Sequence, residues 1–579
     1  MIGSYFSDAT NQVLFLVMLA ITLNLLLGVA GQLSMATAAF YGIGAYSCGV
    51  LTASGITLSG SEAFGPGWPF IGGLLGATAI AAVGGLLVAL PAGNRVRGDY
   101  LILLTLSFHF LFTNVVSSWV DVTGGPNGMV VVPLSLFGWT PQTTDEAMQF
   151  FIALTVVLAL VCWWITTSPF GRLLRGLRED EVAVQSLGKR TVWPKMLMFS
   201  VTAGAAGAVG ALSASYTQFV APGTYNLDLA ILVAACVALG GPGNILGSAL
   251  AAVVIGSLRP VLENVSGLGD DAIPWQAVIY GAILVLTIRF RPQGILPEGI
   301  WSRRARRSAG DGRPRTKQVE VERTEPRDGV SVQVRGVSKK FGGLQAAKDV
   351  DLDLSPGEIV ALIGPNGAGK TTVFNLITGT ISPDSGTVRL GDEDVTHRSP
   401  REVALAGMVR YFQNVRAFEG VTALDNVAVA VPRQAGESLF WTLFRPVHVW
   451  REEQQVKARA RLSLRNVGIE HLADKTVKDL SFGEQKLVTF ARMLATGAQV
   501  LLLDEPTSGV DPKSAEHIIG LVKRLSAEGK TICIVEHSLH VVTELADRIV
   551  FMDQGQVIAE GSVDEITTQQ DLVDLYFGT

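Results

Sequence analysis

The residues with the clearest chemistry are Gly364-Pro-Asn-Gly-Ala-Gly-Lys-Thr-Thr372, which follow the apolar run EIVALI and precede VFNLITG. An apolar strand, a glycine-rich turn and a helix N-terminus in this order wrap backbone N–H groups around phosphate oxygens. Gly364, Asn366, Gly367, Gly369, Lys370, Thr371 and Thr372 are therefore the expected nucleotide-binding residues. Lys370 is placed to reach the β- and γ-phosphates, and Thr371 to ligate Mg²⁺. Further along, Val500-Leu-Leu-Leu-Asp-Glu-Pro506 reads as a buried strand that ends in two carboxylates. Asp504 is placed to hold Mg²⁺, directly or through water, and Glu505 to orient and polarise a water for in-line phosphoryl transfer. Either motif alone could be an ordinary turn. Both in this order predict an enzyme that binds and hydrolyses a nucleoside triphosphate such as ATP.

The elements that must position these residues occupy only part of the chain. Of 579 residues, 17% are charged, and mean hydropathy is +0.37, both unusual for a soluble enzyme. Residues 12 to 290 are apolar and glycine-rich, whereas the region beyond 300 has the charge density of a cytosolic protein. The net charge of −5 comes without a basic face interleaved with aromatics, which excludes nucleic acid as a partner. The four cysteines, Cys48, Cys162, Cys236 and Cys533, form no C-x-x-C pair and read as small buried hydrophobes. The N-terminus MIGSYFSDATNQ lacks a positive region ahead of its apolar run, so a retained membrane span is expected there.

Apolar stretches of spanning length recur near 12–30, 33–54, 69–91, 101–120, 148–167 and 196–215, as a pair within 229–262, and at 275–289. About nine crossings follow from this count. Arg172, Arg175, Arg178, Lys189, Arg190 and Lys195 crowd one loop, Arg95 and Arg97 mark another, and Arg289 and Arg291 follow the last span. The loops 55–68, 117–147 and 263–274 have no Lys or Arg, so the basic loops and the end of the last span are expected on the cytoplasmic side. Gly204, Gly207 and Gly210 suggest close helix packing. The breaks near Gly28–Gln32 and Gly240–Gly243 could offer unwound backbone to a polar solute. The charged stretch Trp301–Gly329 reads as a tether between domains 1–300 and 330–579, and its Arg cluster at 303–307 as a contact for membrane lipid.

The first half resembles the permease of branched-chain amino acid ABC importers. The stretches that carry the likeness are LNLLLGVAGQLSMATAAFYGIGAY (23–46), RVRGDYLILLTLSF (95–108), SPFGRLLRGLREDEVAVQSLG (168–188) and RFRPQGIL (289–296). In the second half, Leu480-Ser-Phe-Gly-Glu-Gln485 resembles the ABC signature, with Phe482 in place of the usual second glycine. The resemblance implies that Ser481 and Gly483 contact the γ-phosphate held by an opposite ATPase subunit. It makes Gln413 in YFQN the glutamine near Mg²⁺ and the permease, His537 in IVEHS the switch histidine on the γ-phosphate, and Ser508–Asp511 the D-loop. Phe341 in KKFGG matches the ring that stacks on adenine, a contact of about 1–3 kcal/mol in nucleic-acid sites. The insertion near 432–460 fits the ATPase that partners this permease type.

Together these readings predict a multidomain chain: an all-α polytopic permease followed by an α/β P-loop ABC ATPase. The resemblance implies a multi-pass protein of the plasma membrane with its ATPase in the cytoplasm. It also implies a second permease subunit, a second ATPase subunit and an extracytoplasmic solute-binding protein, all serving uptake of a small polar solute. The loop 169–195 would couple the ATPase to the membrane helices. An ABC half-exporter and a membrane-tethered regulatory ATPase are the competing classes, disfavoured by the number of short, glycine-broken spans.

Overall fold

The computed structural model describes residues 2–53, 57–58, 61–62, 66–94, 98–265, 272–291, 293–298, 329–569 and 571. The tether 301–329 with its Arg cluster, and Arg95 and Arg97, lie almost wholly or wholly outside them. The chain divides into two compact units, Met1–Arg178 with Val192–Pro314, and Glu179–Thr191 with Arg315–Thr579.

The first unit is helical. Seven helices among the described residues are long and apolar enough to cross a membrane: Phe6–Val29, Phe70–Pro91, Tyr100–Ser118, Thr144–Thr167, Val192–Thr217, Pro222–Gly240 and Ile245–Leu262. The apolar helices Thr37–Thr52 and Ala272–Phe290 join them. Each of the nine predicted spans has a helix near it, but only seven among the described residues are long and apolar enough to cross a membrane; Thr37–Thr52 has 16 residues, and the last helix has only the shorter apolar stretch Val278–Thr287. Burial sorts inner from outer helices. The apolar window of Phe6–Val29 is 78% buried and that of Val192–Thr217 61%, against 28% for both Tyr100–Ser118 and Thr144–Thr167. The outer pair therefore leaves apolar side chains such as Leu103, Phe110, Val157 and Trp163 exposed.

Backbone proximity explains the glycines. A Cβ at Gly210 would stand 1.9 Å from the Tyr41 carbonyl oxygen, and one at Gly44 1.9 Å from that of Gly207. A Cβ at Gly207 would meet the Ala81 Cβ at 2.3 Å. Helices Thr37–Thr52, Phe70–Asn94 and Val192–Thr217 thus touch main chain to main chain, which apolar lipid alone would not enforce.

The two glycine breaks come together rather than standing open. The first helix ends in a π-turn, Leu25–Val29. The Asn24 side-chain oxygen accepts from Gly243 N at 2.8 Å, and Arg178 donates to the Gly28 carbonyl. Ile295 N and Leu296 N donate to the carbonyls of Leu239 and Gly240, at 2.9 and 3.1 Å. Glu298 closes the cluster with Arg178 at 2.9 Å. The Gly28 and Gly240 carbonyls and the Gly243 N–H, which the sequence left available to a solute, are thus bonded within the protein itself, since unsatisfied amides near a bilayer are costly.

The second unit has two sheets. The larger runs in the order Met408–Tyr411, Val500–Asp504, Thr531–Val535, Ile359–Ile363, Arg548–Asp553 and Gln556–Ser562. Its first five strands are parallel and the last is antiparallel. The runs VLLLD, TICIV and IVALI are buried at every position, as a sheet covered on both faces requires. The second sheet is antiparallel, in the order Leu344–Leu354, Val332–Phe341, Ser385–Leu390 and Glu393–Asp394. The register pairs Asp504 with Val535, and Val535 with Leu362. The carboxyl ends of three strands are thereby brought level, where ligand sites form in α/β sheets.

Glu179–Thr191 is built into this unit. Its helix Glu181–Ser186 is capped by Asp180, whose side chain accepts from Ala183 N at 2.8 Å. Arg416 reaches Asp180 at 3.1 Å, Gly420 N donates to Glu179 at 2.9 Å, and buried Lys189 bonds both the Val431 carbonyl and Glu437.

Gly210→Ala should lower the melting temperature of the detergent-purified chain, because an intruding methyl against backbone costs about 1–3 kcal/mol. Gly281→Ala, with nothing within 4 Å of the new Cβ, should leave it unchanged in the same fluorimetric scan.

Candidate nucleotide site

The phosphate loop leaves the strand Ile359–Ile363 and enters the helix Lys370–Ile377. Two of its glycines have no room for a side chain. A Cβ on Gly364 would lie 2.0 Å from the Met552 carbonyl oxygen, and one on Gly369 2.4 Å from that of Ala346. Gly367 is open around its Cβ but has φ +87°, a left-handed backbone that glycine takes without strain. Lys370 Nζ donates to the carbonyls of Gly364 and Pro365 at 2.7 and 3.0 Å, and burial pulls its pKa below the usual lysine range. Asn366 and Thr371 are exposed and Thr372 is half-buried.

The paired carboxylates sit at the end of Val500–Asp504, both buried. Glu505 has φ +48°, a left-handed conformation uncommon outside glycine. Its N–H is held by the Val535 carbonyl at 2.8 Å. Its side chain gathers two of the predicted residues: Gln413 Nε2 donates to Oε2 at 2.9 Å, and His537 Nε2 lies 3.0 Å from Oε1. Glu505, Gln413 and His537 thus converge, although they come from three different strand ends.

Ser481 and Gly483 sit at the start of the helix Phe482–Ala495, where Ser481 and Glu484 form a capping box. The hydrogen bonds of Ser481 are local and do not reach the phosphate loop. A Cβ on Gly483 would be 2.7 Å from Ser514 Oγ, next to the helix Pro512–Ala527 that Asp511 caps. Phe341 ends its strand with an exposed ring, and Lys339 Nζ lies 5.9 Å from the ring centroid.

Three residues that the sequence did not single out support this site. Arg410, in the strand Met408–Tyr411, pairs with Asp504 and with the Asn375 side-chain oxygen, and packs over the rings of Phe374 and Phe412. A charged residue inside the apolar strand MVRY was the available signal. Lys486 is fully buried and donates to the carbonyls of Glu505, Pro506 and Ser508, at 3.2, 3.1 and 2.6 Å. Desolvation depresses its pKa. Glu536 accepts from Thr507 N and Oγ1, at 3.0 and 2.8 Å, and burial raises its carboxyl pKa. Nothing in the spelling of either segment distinguished these two from surface charges.

No three His, Cys, Asp or Glu side chains among the described residues form a metal cage. The site suits a cation that takes one or two protein oxygens and completes its shell with phosphate and water, as Mg²⁺ does. The buried Asp504 carboxylate is the available anionic ligand, and Arg410 neutralises it here.

A P-loop site of this build, on one chain with an apolar helical bundle, defines an ATP-driven membrane transporter. Residues 347–508 match the family described as ABC transporter, and residues 5–288 the family described as branched-chain amino acid transport system / permease component. The high-affinity branched-chain amino acid transport ATP-binding protein LivG of Escherichia coli (strain K12) is 36% identical over 248 residues, 43% of this chain and 97% of that protein. BraF of Pseudomonas aeruginosa, a protein of the same description, is 35% identical over the same lengths and coverage. The nucleotide-free ATP-binding cassette of an ABC transporter matches at 32% identity and a TM-score of 0.38, over 43% of this chain and all of that one. This chain belongs to the ABC transporter family, as a permease component of the branched-chain amino acid transport type fused to its ATP-binding cassette.

Arg410→Gln should leave Asp504 buried and unpaired, a loss of about 3–5 kcal/mol. The expected readout is a lower melting temperature of the cassette transition without nucleotide, partly restored by millimolar-range Mg²⁺. No such drop would mean that the pair contributes little.

Proposed function

We propose that this chain is the fused permease and ATPase subunit of an importer for branched-chain amino acids or a related small polar solute. One observation carries the coupling: Glu179–Thr191, which lies between the spans Thr144–Thr167 and Val192–Thr217, is held in the cassette by Arg416–Asp180 and Lys189–Glu437. Any movement of the cassette is then transmitted through the chain into two membrane helices. The similarity to LivG and BraF, high-affinity branched-chain amino acid transport ATP-binding proteins, supports the solute class.

In this reading ATP lies along Gly364–Thr372 with its adenine against Phe341. Lys370 leaves the carbonyls of its own loop for the β- and γ-phosphate oxygens. Thr371, Asp504 and Gln413 would hold Mg²⁺, which would neutralise phosphate charge. Glu505 takes the proton of the attacking water as its oxygen bonds the γ-phosphorus and the bond from that phosphorus to the β,γ-bridging oxygen breaks, leaving ADP and inorganic phosphate. Gln413 and His537 hold that carboxylate in place and exchange their bonds to it for bonds to water and the γ-phosphate. Ser481 and Gly483, which are remote from the chain's own loop in hydrogen bonding, serve a nucleotide bound on a second cassette. A second ATPase subunit, a second permease subunit and an extracytoplasmic binding protein complete the assembly in the plasma membrane, with the cassettes in the cytoplasm.

Glu505→Gln should abolish ATP turnover while leaving ATP binding intact, measured on the same purified protein by phosphate release and by nucleotide titration. In cells lacking the chain, wild type should restore uptake of labelled leucine and the variant should not. Sustained hydrolysis by the variant would remove Glu505 from its role. Leucine uptake unchanged by either form would move the solute elsewhere among small polar molecules.

A further inference from the structure

The insertion in the cassette carries an apolar surface that the nucleotide site does not use. Phe440, Leu443, Phe444, Val447 and Trp450 are 61, 39, 70, 62 and 61% exposed. Among the described residues of this unit, other exposed large hydrophobics stand singly or in pairs along the chain. A concentration of five within eleven positions marks an interaction surface. The rings are organised: Phe440 and Phe444 lie 5.0 Å apart between centroids, and Arg445 sits 5.3 Å over Trp441.

Composition narrows the partner. The stretch 438–451, SLFWTLFRPVHVWR, has two arginines and a histidine and no acidic residue. Aromatic and aliphatic groups interleaved with cations suit the boundary between acyl chains and anionic headgroups. Chain connectivity narrows it further. Lys189 is bonded to Val431 and Glu437, at the root of the insertion. Three residues later the chain enters the membrane helix Val192–Thr217, a reach of at most about 10 Å. The exposed tryptophans Trp163, Trp164 and Trp193 flank the segment that contains Lys189, as interfacial anchors do. Phe440 is three residues beyond Glu437.

We propose that the insertion face formed by Phe440, Phe444, Val447 and Trp450, with Arg445 and Arg451, rests on the surface of the bilayer that the chain's own permease helices cross. The face holds the cassette at the membrane on the side of its insertion, independently of the docked segment Glu179–Thr191. Its apolar groups enter the headgroup region and its arginines meet lipid phosphates, so the contact strengthens with anionic lipid.

The test uses the full chain in lipid nanodiscs. The four native cysteines are free and buried, so a thiol-reactive bimane reports on an introduced cysteine, with labelled wild type subtracted. The labelled variants are Phe444→Cys and Val447→Cys, with Leu462→Cys, later on the helix Pro446–Asn466 that contains Val447, as the comparison. ATP binding by each variant verifies its fold. Brominated acyl chains should extinguish most of the bimane emission at 444 and 447 and little at 462, and aqueous iodide should do the reverse. Replacing phosphatidylcholine by phosphatidylglycerol should deepen the lipid quenching, and Arg445→Glu should remove that gain at 447. Quenching at 444 and 447 by iodide alone would show a solvated surface and overturn the proposal. Shielding from both quenchers would show a protein partner and overturn it equally. Solute uptake is not the readout, so failure here leaves the transport reading intact.

Discussion

Two adjacent carboxylates at the buried end of one strand set the terms for the cassette. Taking Asp504 and Glu505 out of water is expensive unless each negative charge or lone pair finds a partner. Arg410 from the neighbouring strand answers Asp504. Gln413, three residues further on, and His537, beyond the next strand, answer Glu505. Lys486 holds the turn by its carbonyls and keeps Glu505 in its left-handed conformation. The path out of Met408–Tyr411 is tied to these two side chains, and the helix Phe482–Ala495 to the backbone carbonyls of Glu505, Pro506 and Ser508.

Those segments lead outward. The stretch after Met408–Tyr411 contains Gln413 on the carboxylate side and Arg416 on the side that grips Asp180. Gln413, bonded to Glu505, and Arg416, bonded to Asp180, stand three positions apart in the chain. Lys189 adds a second grip through Glu437.

The membrane half obeys a different constraint. Helices in lipid gain little from burying apolar side chains against one another, so close packing depends on small residues and on satisfied polar groups. Gly44, Gly207 and Gly210 supply the first. Asn24, Arg178 and Glu298 supply the second where the π-turn and the Gly240–Gly243 break leave amides and carbonyls outside regular helices.

The sequence by itself determined much of this. Helices and buried strands are written in the length and periodicity of apolar runs, and those are local properties. The phosphate loop and the paired carboxylates were legible because their spelling and order reflect backbone requirements and chemistry that hold wherever they occur, whereas Gln413 and His537 were legible only through the resemblance to the ABC ATPases. Tertiary structure decided what depends on partners distant in sequence. It brought Arg410 to Asp504 and placed Lys486 and Glu536 in the interior, where their charges look no different in the sequence from solvated ones. It also brought the two glycine breaks together, where sequence suggested backbone open to a solute. Finally it assigned Glu179–Thr191 to the cassette, although the chain runs from one membrane helix into the next around it. The physical reason is the same throughout: propensity and spacing act over a few residues, whereas burial and charge compensation are settled only when remote segments meet.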